Sequence, residues 1–180
     1  MIKNIITETL ETILTSAIVI LVIYSTIAMP ERVEGASMEP SFYTGERILV
    51  ERITKYFRDF ETGEIVVLHP PQNENIDFIK RVVGIPGDVV KIYNCEVYIV
   101  RGEKQLRLDE PYLHEGTCTG AGSFIKEGKS LKLDENEYLV FGDNRGASSD
   151  SRNFGIVRRE NIIGRVIFRF WPLENVGFVK

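Results

Sequence analysis

A lysine in the middle of a strand-like run is the first residue in this sequence that asks for a chemical explanation. In DFIKRVV, residues 77–83, strand alternation puts Phe78, Lys80 and Val82 on one face and Ile79, Arg81 and Val83 on the other, so Lys80 has apolar neighbours on both sides. An edge strand whose lysine snorkels to water is the purely structural explanation. The chemical explanation requires the amine to lose its proton, because an ammonium has no lone pair with which to accept another. A lysine with a pKa near 10.4 is neutral in about one molecule in a thousand at pH 7.4; burial that lowers the pKa by about 3 makes roughly half neutral, with a penalty of about 4 kcal/mol on the charged form. A neutral amine within hydrogen-bond reach of a hydroxyl can activate it as a nucleophile. The sequence offers many hydroxyls, and Ser37, within the turn-like EGASMEP, residues 34–40, reads on its own as polar loop filler.

Other chemistries find less support. A Ser-His-Asp arrangement needs a histidine, and the two present, His69 beside Pro70 and Pro71 and the isolated His114, have no signature context. Two cysteines and two separate histidines show no metal-ligand spacing, so neither a metal nor a cofactor is expected. The glycine cluster GTCTGAGS, residues 116–123, lacks the strand-to-helix setting of a phosphate loop. A net charge of -4 with scattered cations excludes the concentrated basic face of a nucleic-acid binder.

The elements that must position Ser37 and Lys80 read mostly as β. At 180 residues the chain has room for one main domain and a small appendage. Strand-like runs, rich in Val, Ile, Phe or Tyr and bounded by turn residues, occur at 47–52, 64–69, 77–83, 88–93, 96–100, 137–141 and 165–171. Only 52–60 and 158–163 suggest a helical turn or two. Residues 93–133, with both cysteines, read as an excursion from the main sheet. Cys95 and Cys118 are either a disulfide, which an oxidising compartment permits, or two unrelated thiols.

After a short N-terminal segment, 1–11, the run from Thr12 to Met29 carries no charge and reaches the roughly 17 to 25 residues a bilayer span needs. A cleaved signal peptide competes with a retained anchor, but the run exceeds the roughly 7 to 15 residues of a signal core. The flanking charges, Lys3 against Glu8 and Glu11, with Arg32 on the far side, do not fix its orientation.

Four motifs behind this apolar segment carry a resemblance: SMEPS at 37–41, GERILV at 45–50, KRVVGIPGD at 80–88 and GDNRGASSDSRNFGIV at 142–157. In order and composition the series is similar to that of the bacterial type I signal peptidases, and the likeness runs from the anchor to about Phe170. It implies a membrane-anchored serine endopeptidase of residues 30–180, with a β-sheet, barrel-like core, an inserted β-rich excursion and a single N-terminal transmembrane helix. Such enzymes remove signal peptides from exported preproteins with small residues before the cut. The resemblance implies Ser37 as nucleophile, Lys80 as general base, Ser148 as the hydroxyl orienting the lysine, and the Ser37 backbone N–H as an oxyanion donor. Asp143 and Arg145, or Asp150 and Arg152, are expected to fix the loop by charge-assisted bonds outside the chemistry. It also implies a catalytic domain on the extracytoplasmic side of the cell membrane, in contact with lipid through an apolar patch.

Two positions depart from the family pattern. Gly35 stands where some members carry a serine that donates to the oxyanion, and Ser41 replaces a common threonine with little expected consequence. Two other readings compete: a self-cleaving repressor-type Ser/Lys protease, which usually begins with a DNA-binding unit where this chain has an apolar segment, and a non-catalytic membrane-tethered β-domain.

Overall fold

The computed structural model describes residues 2–73 and 75–179. Its first element, α1, is a helix over Ile2–Thr26. Within it, Ile6–Ile23 has a mean hydropathy of 1.9 and buries none of its length in the protein, so its length and composition suit a membrane crossing. The helix starts well before the expected span at Thr12 and stops short of Met29. Ala28 and Met29 belong instead to a strand, β1 (Ala28–Arg32), which pairs antiparallel with β2 (Arg47–Glu51). Pro30 reads in sequence as a breaker, yet it sits opposite Leu49 in this ladder. It is tolerated because β1 is the edge of its sheet, where a missing N–H leaves no neighbour unsatisfied.

The seven runs expected to be strands are strands. The main sheet adds β3 (Ile65–Leu68), β4 (Phe78–Gly84), β9 (Glu137–Phe141), β10 (Val157–Arg158), β11 (Ile162–Trp171) and β12 (Gly177–Phe178). Its order is β1-β2-β11-β3-β4-β9-β10, with β12 also on β11. The ten-residue β11 pairs with β3 through its first half and with β2 through its second, with register shifts in both ladders. Such irregularities bend a strand and increase its twist, and the sheet curls into a half-barrel.

The excursion is a sheet of its own and begins earlier than the sequence suggests. β5 (Val89–Tyr93), β6 (Glu96–Arg101), β7 (Lys104–Arg107) and β8 (Ser130–Lys132) run in the order β7-β6-β5-β8. Asn94 and Cys95, both with positive φ, make the tight β5–β6 turn, the backbone that a two-residue hairpin of matching twist requires. Of the expected helical turns, 52–60 contains α2 (Thr54–Phe57), and 158–163 holds a single 3-10 turn, Arg159–Asn161, before β11 begins. A second short helix, α3 (Ser151–Phe154), follows β9.

Three apolar clusters hold these layers. The alternation along β4 distributes its side chains among them: Phe78 and Val82 join Phe60, Val66 and Tyr138; Ile79 joins Val50, Val67 and Val166; Val83 reaches the small sheet at Val90 and Ile99. β4 is thus locked from all sides, which fixes where Lys80 stands. The tightest crossing is at Gly164 of β11, where an added Cβ would lie 2.1 Å from Glu51 O. Gly164→Ala is expected to cost about 1–3 kcal/mol, read as a lower thermal midpoint, whereas Gly120→Ala, whose Cβ meets nothing within 4 Å, leaves it nearly unchanged. Equal midpoints would show that the crossing is not constrained.

Candidate active site

Ser37 lies in the connection between β1 and β2. Val33 N–H to Glu46 O and Gly45 N–H to Val33 O, both 2.9 Å, close the neck of this loop. Met38 and Phe42, buried with Ile48, Val50 and Ile79, plug its middle into the core. Ser37 is therefore held beside an anchored residue. Gly35, with φ of 84°, adopts a turn that side chains resist, and Thr44 donates its hydroxyl to Gly35 O at 3.0 Å.

Lys80 arrives from β4, opposite Val66 in the ladder. Its Nζ lies 2.8 Å from Ser37 Oγ, donates to Ile79 O at 2.8 Å, and stands 4.9 Å from the centre of the Phe78 ring. The residue is 3% exposed. Burial pushes its pKa down from 10.5 to about 8, against the carboxylates of Asp150 and Asp143, which favour the ammonium. At about 8, roughly one lysine in five is neutral at pH 7.4. That is fewer than complete burial alone would give, and the two carboxylates are the reason.

The loop from β9 to α3 supplies the third wall. Asn144 N–H donates to Ser37 O at 3.0 Å, so this loop is tied directly to the one carrying Ser37. At Gly142 an added Cβ would fall 2.2 Å from Ser148 Oγ and 2.4 Å from Ser37 O; only a glycine lets the two loops close here. Ser148 Oγ is buried and has no hydrogen-bond partner among the described residues, and no bond joins it to Lys80.

Asp143 and Arg145 share a backbone bond, Arg145 N–H to Asp143 O at 3.1 Å, and their side chains turn to other partners. Asp143 takes Arg81 through two contacts, 2.9 and 2.6 Å, and accepts from Ser41 Oγ at 2.5 Å. Arg145 pairs with Glu110, bonds Thr119 Oγ1, and donates Nε to Gly142 O at 3.0 Å. Asp150 and Arg152 do pair, through two bonds of 2.8 Å, and Asp150 also accepts from Gly142 N–H at 3.0 Å. Each carboxylate near Lys80 thus has its own guanidinium. Among the described residues none of these four bonds directly to Ser37 or Lys80, and neither do His69 and His114.

Four participants escaped the sequence reading. Arg81 stood in view beside Lys80, and the hydroxyl that Ser41 keeps in place of threonine bridges it to Asp143 by also accepting from Arg81 Nη2 at 3.2 Å. Glu110 and Thr119 lie in the excursion with no local signal. Cys95 and Cys118 are joined as a disulfide.

Ser37 and Lys80 open onto a cleft of about 610 Å³ between residues 31–37 and 76–80, with Ile48, Val67 and Ile79 among its apolar lining. A serine hydroxyl against a buried amine, in a cleft on a mostly β scaffold, has the chemistry of a hydrolase. The comparisons with known proteins agree. The family described as "Signal peptidase, peptidase S26" matches residues 6–171. Signal peptidase IB of Staphylococcus aureus is 37% identical over 95% of this chain and 94% of its own length. A probable signal peptidase I-2 of Synechocystis is 37% identical over 94% of this chain and 75% of its own. The solved signal peptidase I of Enterococcus faecalis aligns with a TM-score of 0.47 at 24% identity, over 59% of this chain and 95% of that one. The chain belongs to the signal peptidase family, peptidase S26, a membership that supports signal-peptide removal by a serine peptidase.

The depressed lysine has a consequence for stability with a definite sign. Below about pH 8 Lys80 is protonated folded and unfolded, and the burial penalty acts in full; between about 8 and 10.5 the unfolded chain holds more protons, so this group's contribution becomes less unfavourable as pH rises. Lys80→Met is therefore expected to raise the thermal midpoint relative to wild type at pH 7 more than at pH 10. An equal difference at both would mean that the amine is not destabilised in its charged form.

Proposed function

We propose that this protein is a membrane-bound serine endopeptidase that removes N-terminal signal peptides from exported preproteins, with Ser37 as nucleophile and Lys80 as general base. The observation that carries the reading is the 2.8 Å contact between Ser37 Oγ and a lysine amine shielded from solvent. In the neutral form, the Lys80 lone pair faces the hydroxyl and takes its proton as Oγ bonds to the scissile carbonyl carbon. The lysine, now an ammonium, gives that proton to the departing amine as the C–N bond breaks. Water then attacks the ester through the same base, and Ser37 recovers its proton.

The Ser37 N–H is the proposed donor to the developing oxyanion, since Gly35 offers no hydroxyl and a main-chain donor held by the anchored loop costs no reorganisation. Ser148 is the proposed positioning hydroxyl. Once protonated, Lys80 has three N–H donors, and the unpartnered Ser148 Oγ is a ready acceptor beside Gly142. An extended peptide lies along the cleft, and small side chains before the scissile bond suit its shallow apolar lining. The apolar helix α1 crosses the membrane once, with the β-domain on the extracytoplasmic side, where the substrate emerges and where the Cys95–Cys118 bridge is stable. Exposed Trp171, Leu173 and Phe178, at one end of β11 and beyond it, are candidates for the lipid-contacting patch.

Purified protein in lipid or detergent is expected to cleave a preprotein at its signal junction. Ser37→Ala and Lys80→Ala are each expected to abolish cleavage, and Ser148→Ala to lower kcat by about 10- to 100-fold. Full activity in either of the first two would remove the mechanism. The kcat/KM of the wild type should rise with pH toward and through about 8, as Lys80 loses its proton. A flat profile from about pH 5 to 10 would contradict the assignment of the base.

A further inference from the structure

The polar network behind the active-site loop continues into the small sheet, away from the cleft. Cys118 is bonded to Cys95, and the next residue, Thr119, donates its N–H to Cys95 O at 3.0 Å. Thr119 is buried, and its Oγ1 meets Arg145 Nη1. From the start of the same segment, Glu110 takes Arg145 through both terminal nitrogens, one of them at 3.2 Å. Tyr112 donates its hydroxyl to Glu110 at 2.8 Å and lays its ring 3.9 Å from the Arg81 guanidinium. One segment therefore touches both cations that grip the active-site loop, Arg145 at Gly142 O and Arg81 at Asp143.

Arg145 is the more dependent of the two. Its side chain is wholly buried, and Glu110 is its ion-pair partner among the described residues. A buried guanidinium that loses its counter-ion is destabilised by several kcal/mol, so it moves toward water rather than stay. Moving it pulls on Gly142 O, and Gly142 is the residue against which Ser148 Oγ and Ser37 O are packed.

We propose that the disulfide-bonded arm, residues 110–119, is a positioning device for the active site: through Arg145, Glu110 and Thr119 set the place of Ser148 and keep water from Lys80. The inference rests on the assignment of Ser37 and Lys80 made above. The charged groups around Lys80 are Asp143 with Arg81, Asp150 with Arg152, and, lining the same cleft, Glu31, Arg32, Glu34 and Asp77. Thr119→Val changes none of these charges. A shift in the lysine's ionisation in that variant therefore reports hydration, not a lost or added charge.

The test is preprotein cleavage by the full-length protein in detergent, with kcat, KM and the acid limb of the pH profile measured separately. Thr119→Val and Glu110→Gln are expected to lower kcat about tenfold with KM nearly unchanged, and to move the acid limb to higher pH as Lys80 regains water. Thr119→Ser, which keeps the hydroxyl, restores wild-type values. Arg107→Gln, which breaks the exposed Arg107–Glu96 pair of the same sheet, leaves kcat and the limb in place. Reducing the disulfide of the folded wild type with dithiothreitol gives the same two changes without any substitution, which covers a variant that fails to fold. Wild-type kcat with an unmoved limb, or a loss of kcat with an unmoved limb, would overturn the proposal. Lys80→Ala keeps the two readings apart: if it is inactive while Thr119→Val behaves as wild type, the arm alone is refuted, whereas an active Lys80→Ala refutes the dyad on which it rests.

Discussion

Everything in this structure turns on keeping one amine dry. An ammonium taken out of water loses solvation that a single hydroxyl cannot replace, and that loss moves Lys80 toward the neutral form. The opposing pull comes from Asp143 and Asp150. Both carboxylates are needed to organise the loop, and either of them left unpaired would favour the ammonium more strongly. Their arginines, Arg81 and Arg152, answer this conflict by giving each carboxylate a nearer cation. The ion pairs are thus best understood by what they do to the field at Lys80, since buried pairs contribute little net stability of their own.

The fold serves the same end by locking the strand that bears the lysine. β4 has β3 on one side and β9 on the other, and its side chains enter three separate clusters. The backbone of a residue so placed cannot shift without disturbing all three. The serine is held differently. It sits in a connection rather than a strand, anchored by the burial of Met38 and Phe42 and by the Asn144 bond to its own carbonyl. A rigidly held amine and an anchored hydroxyl meet at hydrogen-bond distance, and Gly142 leaves no side chain between the two loops beside them.

Much of this is legible in the sequence. The strands announced themselves through alternation and turn residues, and a lysine among Phe78, Ile79, Val82 and Val83 is unusual enough to demand a reason. Ser37 was legible only through its motif, since a serine after Gly35 and Ala36 carries no signal alone. What stayed hidden has physical causes. β1 was masked by Pro30, whose cost depends on whether the strand is an edge, a tertiary fact. β7 and β8 are short and largely exposed, so no core imposes alternation on them. Arg145 pairs with Glu110, 35 residues away in sequence, and no local rule selects that partner.

The most direct measurement is the titration of Lys80 itself, by NMR of the folded protein labelled with 13C at lysine Cε, with the resonance assigned by its loss in Lys80→Met. The account predicts a midpoint near 8. A midpoint at the ordinary lysine value near 10.4 would show a solvated cation at neutral pH, and would contradict the claim that burial prepares this amine to act as a base.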